Sequence, residues 1–147
     1  MVCIYCSEDT KVINSRLQKR ANTVWRRRKC INCAALVTSL EKVDLTGSLI
    51  VIKKNGLLEP FYEEKLLASL LKCLDHRPNY QVKAKQLNNT VVSDIIHSIG
   101  QARLSTKEIS DAVTIVLKNY DLAALVKYTS YQRQLSAKRD INRLTKN

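Results

Sequence analysis

Two Cys-x-x-Cys pairs constrain the first third of this 147-residue chain more than any other feature. Cys3 and Cys6 form one pair, Cys30 and Cys33 form the other, and 23 residues lie between the pairs. Four thiolates arranged in this way can surround one tetrahedral ion at about 2.3 Å and leave no open position for water or substrate. The spacing therefore predicts one structural Zn²⁺ per chain, with room for a three-stranded ribbon between the pairs.

Other chemistries also use closely spaced cysteines. The chain has no signal-peptide pattern and no run of about 18 apolar residues, so we expect a cytoplasmic protein without membrane contact, in which disulfides are disfavoured. A redox pair usually stands alone at the start of a helix in a larger α/β domain. An iron–sulfur cluster can use the same four thiolates, and this alternative stays open. Cys73 lies in a leucine-rich helical pattern and is predicted to be a buried apolar residue.

The composition changes near residue 46. The residues before it are rich in Cys, Arg, Lys and Asn and have few aliphatic residues at helical spacing, so this part cannot fold by burial alone. We predict an α+β protein with a small β zinc ribbon in residues 1–46. A mainly helical domain with a β-hairpin follows in 47–138, and 139–147 form a basic C-terminal tail.

The second domain begins with a hairpin pattern. Residues 49–52 and 57–61 read as two strands, and Lys53 to Gly56 reads as the turn between them. An apolar stripe at helical spacing then runs from Leu66 to Leu74, and a second runs from Leu87 to Ile99.

The ends of the helices carry their own signals. Gly100 is suited to close the second helix in a left-handed conformation. Ser105 and Glu108 match a capping box that begins a third helix, and Asp121 is suited to cap a fourth.

The chain is strongly basic, with 25 Lys and Arg against 13 Asp and Glu and a formal charge of +12. A dense run of like charges repels itself unless a polyanion relieves it, which favours nucleic acid as the partner. If residues 24–29 form a strand, alternation sends Arg26 and Arg28 to one face and Arg27 and Lys29, with Trp25, to the other. The candidate DNA-binding residues are Arg16, Arg26, Arg27, Arg28, Lys29 and Lys42.

RNA is the alternative partner, although a content of 5% aromatic residues disfavours a base-stacking platform. A zinc-stabilised RNA-binding or ribosome-associated module is the second functional hypothesis. His76 and His97 are lone histidines in helical patterns, which are more often surface or satisfied residues than catalytic ones, so we do not expect an enzyme.

Lys53, Lys54 and Lys65 gather positive charge around the hairpin and the first turn of the next helix. Ammonium groups and backbone N–H donors in such a place can hold triphosphate oxygens, and the alternative is an ordinary basic hairpin. The segment matches neither a Walker loop nor a dinucleotide-binding fingerprint.

The order of these motifs resembles the NrdR family of bacterial repressors of ribonucleotide reductase genes, in which a zinc ribbon is joined to an ATP-cone. The motifs that carry the resemblance are Cys3-x-x-Cys6, Ser15-Arg16, the Arg26 to Lys29 run, Cys30-x-x-Cys33, Thr38, Glu41 and Val51-x-Lys53-Lys54-x-Gly56.

The resemblance implies a nucleoid-associated repressor that binds paired double-stranded operator boxes as a homo-oligomer. It also implies that the oligomer responds to the adenine nucleotides ATP and dATP as allosteric effectors. The residues that match the nucleotide contacts of similar cones are Val51, Lys53, Lys54, Glu59, Lys65, Thr106 and Tyr131.

This chain departs from the family pattern at four positions in the ribbon. Ile4 stands where the family usually has Pro, and Ala34 stands where it has Gly. Leu36 and Val37 stand where the family has a stretch with Arg and Phe. These departures indicate a divergent member with altered DNA contacts.

Overall fold

The computed structural model describes the backbone of residues 1–144 and the side chains of residues 1–19 and 21–134. It divides into two compact units, Met1–Asp44 and Leu45–Asn147. The side chains of the proposed basic tail, 139–147, lie outside the described residues.

Six strands and five α-helices follow one another along residues 1–144, the part of the chain whose backbone the structure describes. Their bounds are β1 Thr10–Gln18, β2 Thr23–Cys30, β3 Leu36–Lys42, α1 Leu45–Ser48, β4 Ile50–Ile52, β5 Leu58–Pro60, α2 Glu63–Leu74, α3 Tyr80–Ser98, β6 Arg103–Ser105, α4 Thr106–Tyr120 and α5 Leu122–Leu144. The mixture of a strand-rich first unit and a mainly helical second unit confirms the α+β prediction. Among the described residues, no helix combines the length and the apolar run needed to span a bilayer.

The first unit is a three-stranded antiparallel ribbon in the order β1-β2-β3. Only β1 and β2 lie between the cysteine pairs, and β3 follows the second pair, so the prediction of three strands between the pairs is wrong. Strands of 9 and 8 residues with their connecting turn use up most of that interval. A bulge between Val12 and Asn14 shifts the register of β1 against β2.

The second unit contains a small sheet in the order β5-β4-β6. The predicted hairpin is present: Ile50 pairs with Pro60, and the Gly56 N–H donates to the Lys53 carbonyl across the turn. Gly56 has φ 80°, which L side chains adopt only at a cost. Strand β6 pairs in parallel with β4, and its three residues are too few to show a strand pattern in the sequence.

Four helices close around a single apolar core in the second unit. Helix α2 contacts α3 and α5, and α4 contacts the same two helices. The predicted stripes supply the fully buried side chains, among them Leu70, Leu74, Val91 and Ile95. Cys73 is 1% exposed in the same core, as its position in the leucine-rich stripe predicted.

The signals at the helix ends are confirmed at two of three positions. Ser105 and Glu108 form a reciprocal capping box at the start of α4. The Asp121 carboxylate accepts from the backbone N–H groups of Ala123 and Ala124 and so caps α5. The prediction for Gly100 is wrong, because α3 ends at Ile99 in an extended conformation and Gly100 does not have a positive φ.

Asp121 also bonds to the segment that follows α2. Its Oδ2 accepts from Arg77 Nε at 2.7 Å and lies 3.2 Å from His76 Nε2, and its side chain is 2% exposed. The Arg77 guanidinium, together with the backbone donors, holds the pKa of this carboxyl far below its usual range. The segment after α2 is thereby tied to the start of α5.

Replacing Asp121 with Asn is expected to lower the free energy of unfolding of the second unit by about 2 kcal/mol, because Asn retains the cap but not the charge that Arg77 requires. Since the folded-state pKa is depressed, the stabilisation is complete at neutral pH and is lost as pH falls below about 4. Urea unfolding followed by helical circular dichroism at pH 7 and pH 3 measures both effects. Equal stability of the two proteins at pH 7 would contradict this role.

Candidate metal centre, nucleic-acid face and nucleotide cavity

Two tight turns present the four cysteines of the ribbon. In the first turn, the Cys3 N–H donates to Glu8 and the Cys3 carbonyl accepts from Ser7, which has φ 60°. In the second, the Cys30 N–H donates to the Ala35 carbonyl, and the Cys33 N–H lies 3.5 Å from Cys30 Sγ. The pairing of β1 with β2 places Thr10 opposite Cys30 and so brings the turns together.

The four sulfurs form one cluster in which all lie within 4.8 Å of one another. Cys3 Sγ is 3.6 Å from Cys33 Sγ, and Cys6 Sγ is 3.5 Å from the sulfurs of both Cys30 and Cys33. Sulfurs on a tetrahedral Zn²⁺ at about 2.3 Å lie about 3.8 Å apart, so the cluster fits that ion. An iron–sulfur cluster distributes its four thiolates over two or more iron atoms, so some of the sulfurs lie farther apart than the 4.8 Å found here.

The pKa values of the Cys30 and Cys33 thiols are shifted in opposite directions within the cluster. The N–H of Cys33 is the main cause that lowers the pKa of Cys30 to about 7. The Ala35 N–H lowers the pKa of Cys33, but the nearby sulfurs of Cys6 and Cys30 raise it to about 12. Four thiolates at this separation repel one another, and a divalent ion at their centre offsets the repulsion.

Two of the departures from the family pattern lie at these turns. Ala34 has φ 57°, a left-handed conformation that Gly adopts freely and Ala only with strain. Ile4 is exposed between the first two cysteines. Neither side chain removes a sulfur ligand.

The ribbon separates its basic residues between two faces. Side chains of directly paired residues share a face, so Arg16, Trp25 and Leu40 lie together, as do Lys29 with Lys11 and Thr23 with Lys42. We call this surface the Arg27 face; its cationic members are Lys11, Arg16, Arg27, Lys29 and Lys42. No Asp or Glu of the three strands lies on it.

The opposite surface, the Arg26 face, contains Arg26 and Arg28, and both have partners within the ribbon. Arg26 forms an ion pair with Glu41. Arg28 donates to the Ser39 hydroxyl at 3.4 Å and to the Thr10 hydroxyl at 3.4 Å. These two arginines therefore stabilise the sheet itself.

The structure thus brings four of the six candidate DNA-binding residues to one face and places two on the other. Arg16, Arg27 and Lys29 are exposed and have no carboxylate within ion-pair distance among the described side chains. Lys11 was missed by sequence reasoning because it stands outside the Arg26 to Lys29 run. The pairing with Lys29 across two strands is what identifies it.

A cavity of about 730 Å³ lies in the second unit, between the β4–β5 hairpin and helices α2, α4 and α5. All seven candidate nucleotide-binding residues line it: Val51, Lys53, Lys54, Glu59, Lys65, Thr106 and Tyr131. They are spread over 80 positions of the chain, and only the folded unit brings them together.

Glu59 is a carboxylate on β5, where the hairpin lines the cavity. It forms ion pairs with Lys53 and with Lys65, whose Nζ lies 3.0 Å from Glu59 Oε1. The hydrogen bond from Lys53 is the main cause that lowers the pKa of Glu59. The Lys65 ammonium also lies 4.7 Å from the centre of the Tyr62 ring. The two lysines are thereby held at the cavity wall.

The start of α4 contributes backbone donors. Thr106 and Lys107 are the first two residues of this helix, whose N–H groups have no partner within the helix, while the N–H of Glu108 is bonded to Ser105. A helix start of this kind attracts phosphate oxygens. The cavity is lined by six cationic side chains and two carboxylates, which gives a formal charge of +4.

Sequence reasoning missed several lining residues on the helices. Lys72 donates to the Tyr131 hydroxyl at 2.9 Å, and Tyr128 is 3% exposed at the cavity wall. Burial raises the pKa of Tyr128. The other missed side chains that carry charge or hydrogen-bonding groups are Ser69, Lys107, Ser110, Asp111, Gln132 and Arg133. Their helical patterns resemble those of any solvated helix face, so only packing distinguishes them.

Comparison with known protein families matches both units. The model of the N-terminal domain described as transcriptional repressor NrdR-like matches residues 1–41. The model of the ATP cone domain matches residues 49–137. The four-cysteine cluster lies in the first match and the cavity in the second.

Similar proteins match the chain over most of its length. The transcriptional repressor NrdR of Alkaliphilus oremlandii (strain OhILAs) is 35% identical over 145 residues, which cover 97% of this chain and 90% of that protein. The proteins of the same name from Latilactobacillus sakei and Heliobacterium modesticaldum are 34% and 35% identical and cover 91% and 92% of this chain, and 85% and 89% of their own lengths. From the sulfur cluster, the cone and this identity over nearly the whole chain, we conclude that the protein belongs to the NrdR family of transcriptional repressors.

Proposed function

We propose that this protein represses transcription by binding operator DNA through the Arg27 face of its ribbon, and that an adenine nucleotide in the cone cavity sets when it can bind. The observation that carries the proposal is the separation of its cations. On the Arg27 face, Arg16, Arg27 and Lys29 are exposed and have no carboxylate within ion-pair distance among the described side chains, whereas Arg26 and Arg28 are bonded within the ribbon.

Neutralising phosphates releases counterions, so a surface of this kind gains most from DNA. In this role Arg16, Arg27, Lys29 and Lys42 contact the duplex, and Arg26 and Arg28 hold the strands that present them. Leu36 lies on the Arg27 face, opposite Lys29, where the family has an Arg. An exposed Leu at this point supports an operator preference different from that of related repressors.

In the cone, the proposed ligands are ATP and dATP, with Lys53, Lys54, Lys65 and the start of α4 near the nucleotide. The formal charge of +4 on the cavity equals in size the charge of a fully ionised nucleoside triphosphate. Glu59 positions Lys53 and Lys65, and Val51 provides an apolar wall.

A nucleotide can change DNA binding only if it binds two states of the protein with different affinity. We propose that these states are different homo-oligomers, and that the genes repressed are those of ribonucleotide reductase in a bacterial nucleoid. This proposal is supported by the position of the cavity, because a nucleotide bound there would contact α2, α4 and α5, whose packing forms the core.

The experiment measures the mass of the full, zinc-loaded protein by light scattering with ATP, with dATP and without nucleotide. DNA from upstream of bacterial ribonucleotide reductase genes is present or absent in each case. We expect the mass and the affinity for DNA to depend on the nucleotide. A single mass under all conditions, with RNA bound as tightly as DNA, would favour the RNA-binding alternative instead.

Replacing Lys53 with Ala is expected to weaken nucleotide binding severalfold, as measured by calorimetry. In the light-scattering experiment, the change of mass should then require a higher nucleotide concentration. The reason is the loss of one ammonium group from the cavity and of the main partner of Glu59. Lys85→Ala is the control, because Lys85 is exposed on α3 and does not line the cavity. Unchanged affinity in the Lys53 variant would remove this residue from the site.

A further inference from the structure

Lys72 differs from the other lysines of the cavity in the partner that holds it. Its ammonium lies 4.7 Å from the centre of the Tyr131 ring and donates to the Tyr131 hydroxyl at 2.9 Å. Lys53 and Lys65, by contrast, pair with the carboxylate of Glu59. Among the described side chains, none places a carboxylate within ion-pair distance of Lys72.

A cation held only by a neutral phenol keeps its full electrostatic attraction for an anion. A cation–π contact at an exposed site is weak, and a phosphate oxygen forms a stronger charge-assisted hydrogen bond. The contact with Tyr131 is therefore the weakest of the three lysine contacts on this wall, and phosphate displaces it most readily.

The position of Lys72 is within reach of the same ligand. The cavity follows α2 from Lys65 past Ala68 and Ser69 to Lys72. Lys65 and Lys72 are seven positions apart, which corresponds to about 10.5 Å along the helix axis and is less than the length of an extended nucleoside triphosphate. Lys107 and Arg133 add positive charge to the cavity.

We propose that Lys72 is a further polyphosphate-binding residue, which exchanges its contact with Tyr131 for the nucleotide. When the ligand enters, the Lys72 ammonium leaves the ring and hydroxyl of Tyr131 and binds a phosphate oxygen. The Tyr131 ring on α5 is then uncovered, and α5 loses one of its side-chain contacts with α2. This inference rests on the proposed function, because it requires a nucleotide in the cone.

A second contact between the same helices provides the matched control. Lys127 on α5 donates to Asp75, which directly follows α2, and neither residue lines the cavity. Removing Lys127 weakens the attachment of α5 to α2 by the same kind of change, without altering the ligand site.

The test measures binding of ATP and of inorganic tripolyphosphate to the full, zinc-loaded protein by calorimetry. We expect Lys72→Met to weaken both ligands about tenfold, since the ammonium is lost and the aliphatic stem is kept. Tyr131→Phe removes the hydroxyl that holds Lys72 and is expected to strengthen ATP binding two- to threefold. Lys127→Met is expected to change both affinities less than twofold. Helical circular dichroism checks that each variant is folded.

Lys72→Met should weaken ATP binding and Tyr131→Phe should strengthen it. A purely structural contact would not produce these opposite changes of affinity. Equal weakening in both variants, or an unchanged affinity in Lys72→Met, would overturn the proposal. A loss of ATP binding without a loss of tripolyphosphate binding would overturn the assignment to phosphate. If the unaltered protein bound neither ligand, the proposed function itself would fail, and this result is distinct from the others.

Discussion

Replacing Cys30 with Ser is expected to unfold the ribbon and to abolish operator binding while the helical unit stays folded. Zinc binding to such sites is coupled to folding with an apparent free energy of about 10–16 kcal/mol, and the ribbon has no other comparable source of stability. Of its described residues, only Cys3 and Cys30 are buried in the apolar set. A three-stranded sheet with so little buried surface does not fold alone.

The chain offers a direct measurement of this effect. Trp25 is its only tryptophan and lies in β2, so tryptophan fluorescence reports on the ribbon, while circular dichroism at 222 nm reports mainly on the helices. We expect the Cys30 variant to contain no tightly held zinc, to show the fluorescence of an unfolded ribbon and to keep most of its helical signal.

Cys73→Ala is the control for the loss of a cysteine. Cys73 is buried among the helices of the second unit and is not one of the four clustered cysteines, so this variant is expected to keep one zinc per chain and the native fluorescence. A Cys30 variant that retained one zinc and the native fluorescence would contradict the metal site and the proposed repressor that depends on it.

Replacing both Arg27 and Lys29 with Ala is expected to lower the affinity for operator DNA at least thirtyfold at low salt. Each phosphate contact contributes about 0.9 to the slope of log affinity against log salt, so the slope should fall by about 2. The two side chains project from the Arg27 face and have no internal partners to satisfy, so their loss should leave the stability of the ribbon nearly unchanged.

The Arg26→Ala, Arg28→Ala double variant is the matched control, because it removes the same charge from the same strand. Here we expect a lower thermal stability, since the ion pair with Glu41 and the bonds to Ser39 and Thr10 are lost. The salt slope should change by less than 1. Equal changes of slope in the two double variants would mean that the ribbon does not use one face for DNA.

The sequence predicted the local features of this fold because each of them depends on neighbouring residues. The cysteine spacing, the turn that ends in Gly56, the capping box of Ser105 and the cap at Asp121 are all short-range patterns, and the structure contains them. The prediction for Gly100 was wrong because glycine permits a left-handed conformation but does not require one.

Only some residues of the candidate sites were predicted from the sequence. The seven nucleotide-cavity residues were named from the family resemblance and from lysines near one hairpin, and they line one cavity. Lys72 belongs to the same cavity but carries no signal in its own helix, because a lysine on a helix surface is ordinary. The role proposed for Lys72 depends on its contact with Tyr131, which lies 59 positions later in the chain.

The sequence alone determined that the protein has a basic ribbon stabilised by a metal ion, followed by a helical unit with a lysine-rich hairpin. These properties follow from residue types and short spacings, which act over a few bonds. The tertiary structure alone decided that β6 joins the sheet, that the bulge in β1 aligns Lys11 with Lys29, and that Arg26 and Arg28 are used internally. The physical reason is that strand register and helix packing depend on contacts between residues that are distant in the sequence. The arginine run alone therefore does not tell which of its side chains bind DNA and which bond to neighbouring strands.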